Sequence, residues 1–99
     1  TVVMAGGIIN SGTSVGKHVI INTNSSIDHD CVLEDFVHIS PGATLCGNIK
    51  VGEGSHIGAG AVIIPGVRIG KWTVIGAGTV IINDIPDGVK VVGNPGRII

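Results

Sequence analysis

The side chains of this sequence best suited to move a proton near neutral pH are its four histidines, His18, His29, His38 and His56. His29 is followed directly by Asp30. A carboxylate that accepts one ring N–H fixes the tautomer and leaves the other nitrogen free to take a proton, so His29 is a candidate general base and Asp30 its partner. A solvated histidine beside a turn-forming aspartate would give the same string, and spacing alone does not separate the two. His38 and His56 are eighteen residues apart, so a fold that repeats at that interval would stack their imidazoles on one edge. Cys31 and Cys46 have neither CxxC nor Cys/His zinc spacing and are too few for a disulfide framework, which reads as two reduced thiols.

The elements that must position these residues follow from a period of six. Every sixth residue from Val3 to Ile81 is Val, Ile or Leu, fourteen in all. A random register would fill about five of those places. Four residues after each comes a second file, from Gly7 to Ile85, that carries no charge, while all ten charged residues between Val3 and Pro86 fall at the other four positions. Two positions in six therefore face inward. A six-residue unit is too short for a helical repeat and fits a short strand plus a corner. Three units make a triangular coil, and coils stack as parallel strands about 4.8 Å apart.

The expected fold is thus all-β, a parallel β-helix of roughly four to five triangular coils over residues 1–86, with residues 87–99 closing it as a strand, Val89 to Val92, and a loop from Gly93 to Arg97. The corners call for a left-handed backbone, which favours Gly, Asn and Asp. Two corner files comply: Gly6, Asn24, Gly42, Gly60, Gly78 and Gly12, Asp30, Asn48, Gly66, Asp84. The third, His18, Phe36, Gly54 and Trp72, does not, and is expected to turn differently or to be covered. In this frame His29 points outward, Cys31 points into the core, and Ala59 and Ala77 line one edge.

Composition narrows the function. Apolar residues make up 43% and aromatics 2%, so the core is aliphatic. The net charge is −1 with acids and bases mixed, which leaves no electrostatic footprint for nucleic acid or an anionic membrane. No stretch approaches the ~20 apolar residues of a membrane span, and none reads as a signal peptide, so a cytoplasmic setting is expected. The repeat is already running at Val3 without an initiator Met, as in a piece of a longer chain.

With the hexads in view, the chain resembles the hexapeptide-repeat acyltransferases, whose coils form a left-handed β-helix. Within that group it looks most like the sialic-acid O-acetyltransferase and bacillosamine-pathway sugar N-acetyltransferase type. The residues carrying the resemblance are Ile27 to Val32, Phe36 to Ala43, Ile69 to Gly78, and the tail Val92-Gly93-Asn94-Pro95. The resemblance implies acetyl transfer from acetyl-CoA to an amine or hydroxyl of a sugar or nucleotide sugar, with His29 as base and Asp30 as its acidic partner. It implies that His38 donates a hydrogen bond to the thioester carbonyl and that the edge bearing Ala59 and Ala77 contacts the coenzyme. It further implies a homotrimer with the active site between subunits, and an N-terminal sugar-nucleotide-binding domain that is absent from this chain. The carbonic anhydrases that share this β-helix use two histidines five residues apart, and no pair here has that spacing, so no metal is expected. A non-catalytic β-helical trimerisation or scaffold module is the competing expectation.

Overall fold

The inward files become the spine of the molecule. A computed structural model describes residues 1–99 and shows three stacks of two-residue strands, one on each face of a prism. The first sheet stacks Val2–Val3, Ile20–Ile21, His38–Ile39, His56–Ile57, Val74–Ile75 and Lys90–Val92. The second stacks Ile8–Ile9, Ser26–Ile27, Thr44–Leu45, Val62–Ile63 and Val80–Ile81, and the third Ser14–Val15, Val32–Leu33, Lys50–Val51 and Arg68–Ile69. Each of these strands up to Ile81 pairs in parallel with the strand eighteen residues away, as in Ile21↔Ile39 and Ile39↔Ile57. The parallel β-helix expected from the period is the fold observed.

β-branched side chains suit such short strands because both faces of each strand are used: one residue points in, the next out. The aliphatic file is solvent-free from Ile21 to Ile63, and the second file is buried from Val19 to Thr79. Most hydroxyls in that second file find backbone partners inside the coil, Ser25 Oγ donating to the Asn22 carbonyl at 2.7 Å and Thr73 Oγ1 to that of Pro86 at 2.8 Å, while the buried Thr79 Oγ1 has none. Val3 and Ile9 in the first coil remain 47% and 37% exposed, since no coil lies beneath them. No helix is long and apolar enough to cross a membrane.

The third corner departs from expectation. His18, Phe36 and Trp72 do not turn differently: their φ angles are 55°, 62° and 53°, in the same left-handed region as Asn24, Asp30 and Asn48. A bulky residue there is strained by about 1–2 kcal/mol. The rings offset this by stacking along the edge, His18 on Phe36 with centroids 5.3 Å apart and planes within 12°. Trp72 lies over Gly54, where an added Cβ would collide with the indole ring. The one glycine of that file is glycine because an indole covers it.

The last coil also differs. Asp84 is not a left-handed corner; its Oδ1 instead accepts the Arg68 N–H at 2.9 Å. Ile85 does not continue the second file but pairs with Ile69 of the first, sixteen residues back, and Lys90 pairs with Val74 at the same interval. Gly88, at φ 70°, takes the corner above Trp72 and donates its N–H to the Lys71 carbonyl. The coil has lost two residues, a deletion the hexad count carries past unseen. The closing strand is Lys90–Val92, and Arg97, expected in a loop, lies in a further strand, Arg97–Ile98, antiparallel to it.

Two measurements check this account. Ile57→Ala, at a site with no solvent exposure, is expected to lower unfolding free energy by about 2–5 kcal/mol in a denaturant titration. Asn48→Val places a β-branched side chain at φ 57° and is expected to cost about 1–2 kcal/mol in the same assay, whereas Asn48→Gly, free of that strain, is expected to cost less.

Candidate active site

His29 and Asp30 sit on the corner between the second and third sheets, following Ser26–Ile27 and preceding Val32–Leu33. Asp30 is itself the left-handed corner residue, φ 56°, with its N–H bonded to the Ser11 carbonyl one coil below. That turn brings its carboxylate beside the preceding side chain. His29 Nδ1 and Asp30 Oδ2 are 3.2 Å apart, and both side chains are more than half exposed. With the carboxylate accepting the Nδ1 proton, the lone pair lies on Nε2, which makes no hydrogen bond within the chain. Turn former and partner, the two roles open for Asp30 in the sequence, are filled together.

Asp28 completes this corner and was not singled out by the sequence reading. Its carboxylate accepts from Asn10 Nδ2 at 3.0 Å and from the His29 N–H at 2.8 Å, and these two bonds, the Asn10 bond foremost, hold it below the ordinary Asp value. The signal was present: an Asp or Asn immediately before a corner accepts the next backbone N–H, as Asn22 does from Thr23 at 2.8 Å. Gly47 was also missed. It lies one coil above His29, and the imidazole rests over its Cα.

His38 and His56 are in register on the first sheet, with ring centroids 4.6 Å apart, as their spacing required. Each is held from the preceding coil: Asn22 Nδ2 lies 3.4 Å from His38 Nε2, and Ser40 Oγ lies 2.8 Å from His56 Nε2. The first pair fixes a tautomer. Because Asn22 Oδ1 accepts the Thr23 N–H, the amide presents its NH2 to His38, so His38 Nε2 is the acceptor and its proton sits on Nδ1. Burial, with His56 alongside, holds the His38 pKa below the ordinary imidazole value. The result is a neutral ring whose donor is Nδ1–H.

Ala59 and Ala77 are exposed on the corner after the first sheet, stacked by the Gly78 N–H bond to the Ala59 carbonyl at 2.8 Å. Cys31 has no exposure, and burial raises its pKa, so it is an inert core thiol as expected. The chain thus gathers His38, Ala59 and Ala77 on one face and its following edge but leaves His29 and Asp30 on a different corner. No hydrogen bond or ring contact joins the two groups. The prism's single concavity, about 460 Å³ between Glu34, Lys50, Arg68, Lys71, Asp84 and Asp87 on the third sheet, includes none of these five residues.

Residues 48–83 match the model of the family described as bacterial transferase hexapeptide (six repeats). The acetyltransferase domain of PglB from Neisseria gonorrhoeae FA1090 superposes with a TM-score of 0.97 at 47% identity, covering 98% of this chain and 47% of that one, and has also been solved with acetyl coenzyme A. A mutant GDP-perosamine N-acetyl transferase from Caulobacter crescentus, in complex with CoA and GDP-perosamine, gives 0.94 at 40% identity over 97% of this chain and 49% of that one. WeeI from Acinetobacter baumannii AYE gives 0.84 at 32% identity, covering 95% and 55%. The chain is a parallel β-helix similar in fold and sequence to hexapeptide-repeat transferases. Within that class it is similar to the sugar N-acetyltransferases, and it spans about half the length of the structures it matches.

The depressed pKa of His38 gives a pH test. Between its folded value and the unfolded value of about 6.5, the unfolded chain binds more protons. Stability contributed by His38 is therefore present above that unfolded value and lost as pH falls through the folded one. Denaturant midpoints measured from pH 8 to pH 5 are expected to fall less steeply in His38→Gln than in the parent.

Proposed function

We propose that this chain is the acetyl-CoA-dependent part of a sugar acetyltransferase, moving the acetyl group of acetyl-CoA to the amine of a nucleotide sugar with His29 as general base. The observation that carries the reading is the His29–Asp30 pair on an exposed corner, which leaves Nε2 unbonded and basic. The comparisons support the donor and the acceptor class, since the similar structures hold acetyl coenzyme A, CoA or GDP-perosamine. An amine is favoured over a hydroxyl because the GDP-perosamine enzyme, at 40% identity, is an N-acetyl transferase.

In this mechanism the acceptor nitrogen attacks the thioester carbonyl carbon while Nε2 of His29 takes its proton, and Asp30 stabilises the imidazolium that forms. The carbonyl oxygen becomes an oxyanion, and the Nδ1–H of His38 is the donor for it. Collapse of the intermediate breaks the C–S bond, and the proton on His29 passes to the departing thiolate. The products are the N-acetyl sugar and CoA. Acidic, basic and electrophilic roles are thereby divided between two histidines in different environments.

Since His29 and His38 stand on different parts of one prism, the complete site needs a second copy of the chain. A threefold homotrimer, with His29 of one subunit facing the His38 and Ala59–Ala77 edge of the next, would satisfy this and form a crevice lined by these residues, which the concavity of one prism does not include.

The experiment follows thiol release from acetyl-CoA with GDP-perosamine as probe acceptor. His29→Ala is expected to lower kcat by about 10²- to 10⁴-fold with acetyl-CoA affinity retained. Retention of most of the activity would remove His29 from the role, and a calorimetric titration showing no association with acetyl-CoA or CoA at millimolar ligand would favour the scaffold reading.

A further inference from the structure

Glycine occurs at several hexad positions for reasons of coil geometry, and Gly47 is not one of these cases. It occupies the third position, just before the corner, which from Ala5 to Ala77 holds thirteen residues of which Gly47 is the only glycine. Thr23, Asp35, Pro41, Glu53 and Lys71 fill the same position in other coils, so the backbone accepts a side chain there. Nor does Gly47 need conformational freedom, because its φ lies outside the left-handed region. Its neighbours in the same file, His29 and Pro65, are exposed, yet Gly47 is buried.

What buries it is His29. The two are successive members of one file, linked by the Asn48 N–H bond to the His29 carbonyl at 3.0 Å. A Cβ added to Gly47 would lie 2.5 Å from His29 Nε2, 2.6 Å from Cε1 and 3.1 Å from Cδ2. These are contacts with the face of a ring, and the closest is with the nitrogen that carries the free lone pair. The ring is held at Nδ1 by Asp30, so yielding to a methyl group would shift it relative to that carboxylate.

We infer that Gly47 is a positioning residue for His29: its missing side chain is the seat on which the imidazole face lies, and it lets the ring keep the orientation in which Nδ1 meets Asp30. The inference rests on the proposed role of His29 and adds to it a requirement in the next coil. A methyl group at Gly47 would tilt the ring off Asp30 and occupy space beside the basic nitrogen. Misplacement of about 1 Å in a catalytic group is enough to cost about 100-fold in rate.

The test compares the parent, Gly47→Ala, His29→Ala and the double variant. Long-range 1H–15N spectra read the His29 tautomer directly: the parent is expected to show an unprotonated Nε2, and Gly47→Ala a mixture of tautomers, with circular dichroism unchanged. With acetyl-CoA and GDP-perosamine, kcat is expected to fall about 10- to 100-fold in Gly47→Ala, and the same change made in the His29→Ala background to have no further effect. A parent-like tautomer and kcat in Gly47→Ala would overturn the inference. So would an equal loss in the His29→Ala background, which would mark a disturbed coil. If His29→Ala itself keeps its activity, the proposed function falls, and the spectra still decide where the ring lies, with or without turnover of the probe.

Discussion

The left-handed corner, taken once every six residues, is the constraint from which the rest of the molecule follows. Each corner costs conformational energy for any residue but glycine; of the thirteen left-handed corners up to Gly78, seven are glycine and six carry a side chain and meet that cost. What makes it worthwhile is the ladder it permits. Turning by the same angle each time brings the N–H of Ile20 to the Val37 carbonyl and that of His38 to the Ser55 carbonyl, and so on up the stack. Once the ladder is in register, the aliphatic file closes without solvent from Ile21 to Ile63. Small breaches of the corner rule therefore need local compensation, as the stacked His18 and Phe36 rings provide.

The same constraint explains why a site can exist in a chain with almost no loops. Side chains sixteen or eighteen residues apart become neighbours: Asn22 with His38, Ser40 with His56, Asn10 with Asp28, His29 with Gly47. Several polar groups on the surface are thus oriented by the coil above or below them. Asp30 shows the economy of this arrangement, since the backbone turn and the carboxylate at 3.2 Å from His29 are properties of a single residue.

Much of this was legible in the sequence because the dominant forces are periodic. The inward files, the outward histidine, the stacked pair His38 and His56, and two of the three corner files all followed from spacing. What escaped was of two kinds. A two-residue deletion leaves aliphatic residues on both sides, so Ile85 seemed to continue the second file when it had joined the first, and Asp84, a good corner former, was left at no corner. Composition also misled at His18, Phe36 and Trp72, where a disfavoured residue type keeps the common geometry through contacts between side chains. Asn22, Asp28 and Gly47 were hidden differently: their roles lie in what the neighbouring coil places against them, and a glycine's role in what it leaves empty is readable only once the histidine beneath is located.

The reversal of the chain at Arg97–Ile98 has a consequence beyond closing one coil. A stack of identical parallel rungs is in principle endless, since its top offers the same unsatisfied backbone groups as every rung below, and a second molecule could be added there as in a growing fibril. An antiparallel rung, fastened by the Ile99 N–H to the Lys90 carbonyl at 3.0 Å, changes the pattern of donors and acceptors that this sheet presents. The parallel template of this sheet stops at that rung.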